Sequence, residues 1–327
     1  MNESRRSRRD RLHQGSPMTR STRRRRRNPR RRARQILASV LAVPLLILAA
    51  GVGYYAFLQI RMTSIPPPTS LDTPRPHPSE PFNLAIFGTD ARSRLEPQPL
   101  ADTIILARID PIEQRMWMVS IPRDTRVELP GHGSERINAA YLYGGPDLAI
   151  QAVQDATGQE VHYFVTMSFW GFENIVDAVG GVYIDVPIDI YDPLADFTSD
   201  GSATQIDAGF QNLDGAHALT FVRHRDGYID ADFGRMRAQQ DFLRALVAQM
   251  EDAPNSQLPG IVNSLANNIT TNFTPLGLAL AAREIRGIPE ENLYLTTLSG
   301  EWRAPYVWTY EDVAEEIWES FGVAPFE

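Results

Sequence analysis

Three separated polar segments carry residues able to handle phosphate chemistry. GTDAR (88–92) closes one β-rich run and LADTIIL (100–106) opens the next, so Asp90 and Asp102 fall at element ends, where side chains from different strands can converge. Two such carboxylates suit an octahedral Mg²⁺ that keeps waters and takes phosphate oxygens, a base beside a metal, or plain turn capping. IPRDT (121–125) presents Arg123 and Asp124 on the loop after a strand, and Arg136 stands just before a helical run. The third group is FVRHR (221–225) followed by DFGRMRAQQ (232–240). In extended backbone Arg223 and Arg225 share a face while His224 points away; on a helix Asp232, Arg235 and Gln239, at i, i+3 and i+7, share one side. Guanidinium groups grip phosphate bidentately and stay charged, so arginines beside two aspartates point to a Mg²⁺-assisted phosphate or diphosphate pocket. The competing reading is arginines satisfied by surface acids. His217 and His224 read as ordinary hydrogen-bonded histidines rather than as an acid or base.

The charge distribution sharpens the choice. All 32 basic residues of the 327 are Arg, and none of the residues is Cys, which excludes disulfides, thiolate zinc sites and cysteine nucleophiles. Residues 1–34 hold 15 Arg against Glu3 and Asp10, whereas residues 35–327 set 17 Arg against 38 acids. Nine of those 17 lie in the three polar segments, so an acidic region keeps its scarce positive charge around one set of motifs. No G-x-S-x-G elbow, H-E-x-x-H pair, Walker A loop or G-x-G-x-x-G turn occurs.

The elements that must position these residues follow from periodicity. Between Arg34 and Arg61 lie 26 residues without a charge, long enough to cross a bilayer as a helix, which gives a transmembrane helix over 35–60 rather than the shorter apolar core of a cleaved signal peptide. The arginines before it, Arg23 to Arg27 among them, place the tail 1–34 on the cytoplasmic side and everything after residue 60 outside. The tail lacks the interleaved aromatics of a nucleic-acid binder and sits against a span, so it reads as a topology signal in contact with membrane lipid, with no nucleic-acid partner. Residues 61–81, with seven Pro, form a stiff extracytoplasmic linker. From 82 to 327 short β-rich runs (82–87, 103–110, 115–121, 162–167, 182–187, 293–298) alternate with helical ones (137–144, 146–157, 169–179, 232–250, 257–269, 275–286, 310–321). Residues 188–212 form an irregular excursion, a hairpin or a lid. The pattern predicts a single layered α/β domain, a central mixed sheet flanked by helices.

At these residues the sequence resembles the LytR-CpsA-Psr family of cell-wall glycopolymer ligases. The resemblance runs in order through NLAIFGTDAR, ADTIILARIDP, VSIPRDTRVELPGHGSERINAAYLYGG, GFENIVDAVGGVYIDVP, LDGAHALTFVRHR and DFGRMRAQQ, about 83–245. It implies an extracytoplasmic phosphotransferase that moves a glycopolymer from a polyprenyl diphosphate-linked donor onto peptidoglycan. Asp90 and Asp102 would be the Mg²⁺-associated aspartates, with Asp90 activating the acceptor hydroxyl, and Arg123 would be the catalytic arginine of the IPRDT loop. Arg136, Arg223, Arg225, Arg235, Gln239 and Asp232 would form the diphosphate-contacting set. A prenyl chain needs an apolar slot, for which Phe164, Ile175, Val179 and Val182 are the expected lining. A polyprenyl diphosphate phosphatase and a non-catalytic membrane-bound lipid-binding regulator are the alternatives.

Overall fold

The computed structural model describes residues 51–59, 75–90, 99–193, 205–225, 232–254 and 256–322. The arginine tail, most of the expected span and most of the linker lie outside the described residues. Residues 51–59 are helical, and from Tyr54 onward the chain forms one compact unit. Tyr54 Oη donates to Asn263 Oδ1 at 3.0 Å and Leu58 is buried in that unit's core. Among the described residues no helix is long and apolar enough to cross a membrane.

The strands are β1 (Phe82–Thr89), β2 (Ala101–Asp110), β3 (Arg115–Ile121), β4 (Arg126–Leu129), β5 (Gly133–Arg136), β6 (Tyr163–Ser168), β7 (Val182–Val186), β8 (Ile190–Tyr191), β9 (Gln205–Ile206), β10 (Gly209–Leu213), β11 (Ile269–Thr271), β12 (Leu293–Thr297), β13 (Glu301–Arg303) and β14 (Tyr306–Trp308). The helices are α1 (Ile137–Thr157), α2 (Phe169–Ala178), α3 (Gly215–Arg223), α4 (Asp232–Asp252), α5 (Leu258–Asn268), α6 (Pro275–Arg286) and α7 (Glu311–Ser320). Six strands build the central sheet in the order β11-β6-β1-β2-β3-β12. It is mixed: β1 runs parallel to β6 and β3 parallel to β12, while β2 is antiparallel to both of its neighbours.

Strand β1 shows why the sheet sits between layers. Its residues are apolar almost throughout because both faces are covered. Ala85 and Phe87 face Ile150, Val153 and Trp318 of α1 and α7, whereas Phe82 and Leu84 face Val247, Phe273 and Leu278 on the side of α4 and α6. A third apolar cluster joins the β7–β10 ribbon to α2, α3 and α4, with Val182, Phe221 and Phe242 buried in it. Helix starts are set locally. Ser168 accepts from Gly171 N at 3.2 Å, Asp214 from His217 N at 3.0 Å and Thr274 from Gly277 N at 3.0 Å, each satisfying an amide that the first helical turn leaves open.

The structure bears out the mixed α/β domain and differs in detail. The two helical runs at 137–144 and 146–157 form one element bent at Gly145, whose φ of 60° suits glycine and is followed by Pro146. FVRHR is not extended: residues 215–223 are helical because Asp214 caps a run that the following Ala and Leu sustain, and the chain becomes extended only at His224. VYIDVP pairs with β10 outside the central sheet. The excursion at 188–212 contains the β8–β9 pairing, and the β4–β5 and β13–β14 hairpins were not foreseen.

Candidate active site

The central sheet brings the motifs together at one edge. The C-terminal ends of β1, β3, β6 and β12 and the N-terminal end of β2 all fall there, because Gly88 pairs with Thr103 and Met167, Ile104 with Ile121, and Thr297 with Ser120. Loops leaving parallel strands at that edge diverge and leave a crevice. Asp102 owes its position to an irregularity: Gly88 pairs with Thr103 but Thr89 with Ala101, so Asp102 is the extra residue of a bulge. Gly88 makes a close fit beside it, since a Cβ there would lie 3.0 Å from Thr103 Cβ.

A cavity of about 650 Å³ opens at this edge. One part of its wall is apolar: Phe169 and Phe172 from the first turn of α2, Leu219 and Val222 from α3, Phe242 and Leu243 from α4. The Phe172 and Phe242 rings lie 5.3 Å apart. The other part is charged, with Arg123, Arg223, Arg225 and Arg235 set against Asp102 and Asp192. Four guanidiniums to two carboxylates, in a region with more than twice as many acids as arginines, make a receptor for an anion. Burial pulls the Arg223 pKa below its ordinary value; Asp102, Asp192 and Asp90 act in the opposite sense and Arg225 adds to the lowering. The Arg223 guanidinium carbon lies 4.0 Å over the Phe169 ring, at the boundary between the two walls.

The polar residues are held from behind. Arg123 Nη1 donates to Asp102 Oδ1 at 3.0 Å, and Asp124 lies between Arg123 (3.7 Å) and Arg136 (3.2 Å). Gln239 Nε2 donates to Val222 O at 3.0 Å, fixing α4 against the end of α3. A second cavity of about 230 Å³ shares Asp102, Arg123, Arg235 and Gln239 with the first and lies on the side of β3 and β12.

Of the residues singled out from sequence, Asp102, Arg123, Arg223, Arg225, Arg235 and Gln239 line the larger cavity. Asp90 lies outside the described lining of either cavity; its Oδ1 accepts from Leu100 N at 3.0 Å and its charge acts on Arg223. Arg136 stands one step out, reaching the site through Asp124. Asp232 opens α4, and its side chain lies outside the described part. His224, buried at the end of the helix, contributes to the cavity wall next to both arginines, so the strand alternation expected over 223–225 does not apply. His217 is an ordinary capping partner, with Nδ1 2.7 Å from Asp214 Oδ1.

The expected slot lining is corrected. Phe164 fills the core under α1, Ile175 packs in the layer on the other side of the sheet, and Val179 and Val182 belong to the lobe around β7. These are inward positions within layers, whereas the cavity opens at strand ends, where the first turn of α2 supplies Phe169 and Phe172. Reading from sequence also missed Tyr191 and Asp192, which the β8–β9 hairpin places in the cavity wall. The aromatic–acid–proline run IYDP was the available signal.

Among the described residues no group of three or more histidines and carboxylates gathers as a metal cage. Asp90 and Asp102, whose charges both act on Arg223, are the carboxylates that would hold a Mg²⁺, an ion that needs only one or two of them.

The fold and the site together define a mixed α/β domain with one cavity that joins an apolar wall to an arginine-rich one. The chain belongs to the LytR_cpsA_psr family, whose model matches residues 59–320. It is 34% identical over 206 residues to the polyisoprenyl-teichoic acid–peptidoglycan teichoic acid transferase TagV of Bacillus subtilis, covering 62% of this chain and 52% of the relative. It is 34% identical over 200 residues to TagU of Bacillus anthracis, named for the same activity, covering 60% of this chain and 62% of the relative. The match thus spans between about half and just under two thirds of those relatives' length. The crystal structure of B. subtilis TagV superposes with a TM-score of 0.64 at 28% identity over 76% of this chain and 99% of that one. TagT bound to LIIa-WTA, at 23% identity and a TM-score of 0.63 over 77% of this chain and 94% of that one, shows the same fold.

Proposed function

We propose that this chain is a membrane-anchored phosphotransferase that moves a glycopolymer from a polyprenyl diphosphate-linked donor onto peptidoglycan. One observation carries the reading: a cavity whose apolar wall meets an arginine cluster at Arg223, the shape of a site for a molecule that is hydrocarbon at one end and diphosphate at the other. The teichoic acid transferase activity for which the TagV and TagU relatives are named supports it. A span within 35–60, ahead of the helical residues from Tyr54 that pack into the domain, would tether the domain outside the membrane, with the arginine tail inside.

In this reading Arg223, Arg225 and Arg235 hold the diphosphate, and Arg123, fixed by Asp102, faces the phosphorus that reacts. The acceptor hydroxyl oxygen bonds to the sugar-proximal phosphorus while the bond to the bridging oxygen breaks, and polyprenyl phosphate leaves with the electron pair. The hydroxyl proton passes to a carboxylate. Sequence favours Asp90 for that task, but Asp102 lines both cavities and is the better placed. Asp90 and Asp102 are the residues that would hold Mg²⁺, which would neutralise charge on the diphosphate. The chain's own contribution is positioning and fixed positive charge aimed at charge that develops in the transition state.

The test is full-length protein in detergent with a prenyl diphosphate-linked glycan, peptidoglycan and varied Mg²⁺. Covalent glycan on peptidoglycan with release of prenyl phosphate is expected. Prenyl phosphate release without a covalent product would identify a phosphatase, and binding without either would identify a receptor.

A further inference from the structure

We propose that the smaller cavity is the acceptor subsite, a cradle for one sugar ring of a hexosamine glycan, with Trp302 as its stacking platform. This rests on the phosphotransferase reading and assigns a site within it. The cavity, about 230 Å³, is smaller than the roughly 300 Å³ and upward of drug-sized ligand pockets and suits a single ring. Its wall has two chemistries. Ser120, Thr297 and Ser299 bring hydroxyls, and Trp302 and Val307 bring apolar surface. A pyranose ring matches that pair, since its face is C–H and its edge is hydroxyl.

The aromatic wall is built into the fold. Trp302 and Val307 are cross-strand partners of the β13–β14 hairpin and so share a face. Val307 N donates to Asp124 O at 2.8 Å, which clasps the hairpin to the loop carrying Arg123. The Arg126 guanidinium lies 4.5 Å over Trp308, and Tyr306 Oη donates to Ser134 O at 3.1 Å. At the entry to the hairpin, Gly300 lets the backbone close, because a Cβ there would meet Trp308 O at 2.5 Å. Yet with all this anchoring Trp302 itself is left 60% exposed. An exposed indole at a cavity wall, on a hairpin docked to the loop that carries Arg123, offers a flat apolar face on which a sugar ring could stack.

Stereochemistry assigns the cavity to the acceptor. The entering and leaving oxygens of a phosphoryl transfer lie roughly in line. The leaving prenyl phosphate belongs with the apolar cavity, so the entering hydroxyl must approach from across the shared residues Asp102, Arg123, Arg235 and Gln239, which is where the second cavity lies. The donor's own sugar is attached to the same phosphorus off that axis.

The experiment compares full-length wild type, Trp302→Ala and Trp302→Phe, with melting curves of each. Transfer is measured with donor and peptidoglycan acceptor varied separately. In parallel, calorimetry measures binding of a GlcNAc–MurNAc tetrasaccharide that carries no diphosphate. The acceptor KM should rise about tenfold in Trp302→Ala, with kcat and donor KM less affected, and Trp302→Phe should recover most of the loss. Tetrasaccharide affinity should fall in parallel. A rise confined to the donor KM would give the cavity to the donor's sugar, and unchanged constants in a folded Trp302→Ala would leave it no glycan; either overturns the proposal. Wild type that neither transfers nor cleaves the donor would refute the phosphotransferase reading instead, and the calorimetric arm would still decide whether the cavity takes a sugar.

Discussion

Arg123 donates to Asp102 at 3.0 Å with side-chain exposures of 25% and 33%, and a pair still open to water contributes only modestly to stability. What it does is hold a guanidinium in one orientation beside a bulge whose extra residue is Asp102. Asp102→Asn keeps the shape and an acceptor oxygen but loses the charge, so the melting temperature should hardly move. Turnover should fall about a hundred- to thousandfold, the loss seen when one preorganised partner of a developing charge is removed. Arg225→Lys should also impair turnover with the fold intact, because an ammonium cannot reproduce a planar two-pronged contact. Paired melts and transfer assays check both; a folded Asp102→Asn protein at wild-type rate would remove Asp102 from the site. Type and spacing picked these residues out but left pairing with surface acids open; their roles came only from the family resemblance. Asp192 was not picked out, because its place depends on the β8–β9 pairing, which leaves no periodic trace in two-residue strands.

At the scale of elements, the arginines depend on how closely α2 and α3 approach. A Cβ on Gly215 would lie 2.3 Å from Glu173 O and 2.6 Å from its Cα, so only glycine allows that contact. Gly215→Ala should cost about 1–3 kcal/mol by overpacking and should also lower activity, because Arg223 ends the same helix; thermal melts and turnover read the two effects. A second device ties β1 to the turn before β6: His162, 8% exposed, accepts from Asn83 N at 2.9 Å through Nδ1. Burial lowers the His162 pKa from 6.5, against an opposing push from Glu160, so below that value the unfolded chain binds the proton more readily than the folded one. This stabilisation is complete above the unfolded value and declines as pH drops toward the folded one. The melting temperature should therefore fall between pH 7.5 and 5, and by less in His162→Asn, whose amide oxygen can accept the same bond without titrating. Long apolar strands such as β1 and β2 were readable because both faces are buried, and capped helices such as α6 because Thr-Pro marks the start. The β13–β14 hairpin was not, since three-residue strands with exposed faces are held by docking onto Asp124 rather than by their own pattern. FVRHR misleads for the related reason that local β preference yields to a capped helix packed on α2.

At the scale of the whole molecule, the proposed activity requires that three things with different solubilities meet: a lipid tail, a diphosphate and a wall polymer. The charge division along the chain fits that demand, with 15 Arg in the first 34 residues and an excess of acids beyond them. Arginine beside a span resists translocation, so in the proposed topology the tail would fix the orientation and leave the cavity, with its four arginines, on the face where peptidoglycan is assembled. The acidic remainder would repel other anions generally, so this arginine-rich site would gain selectivity for an anion whose hydrocarbon also finds the wall of Phe169, Phe172 and Phe242. Orientation can be measured directly. With one epitope tag before residue 1 and another after residue 327, protease added to intact wall-stripped cells should remove the C-terminal tag and leave the N-terminal one until the membrane is permeabilised. Replacing Arg23 to Arg27 with Gln should weaken that asymmetry without changing the fold of the domain, since none of those residues belongs to it. Protection of the C-terminal tag in the wild type would place the cavity on the cytoplasmic side, away from any wall acceptor, and the transferase reading would fall with it.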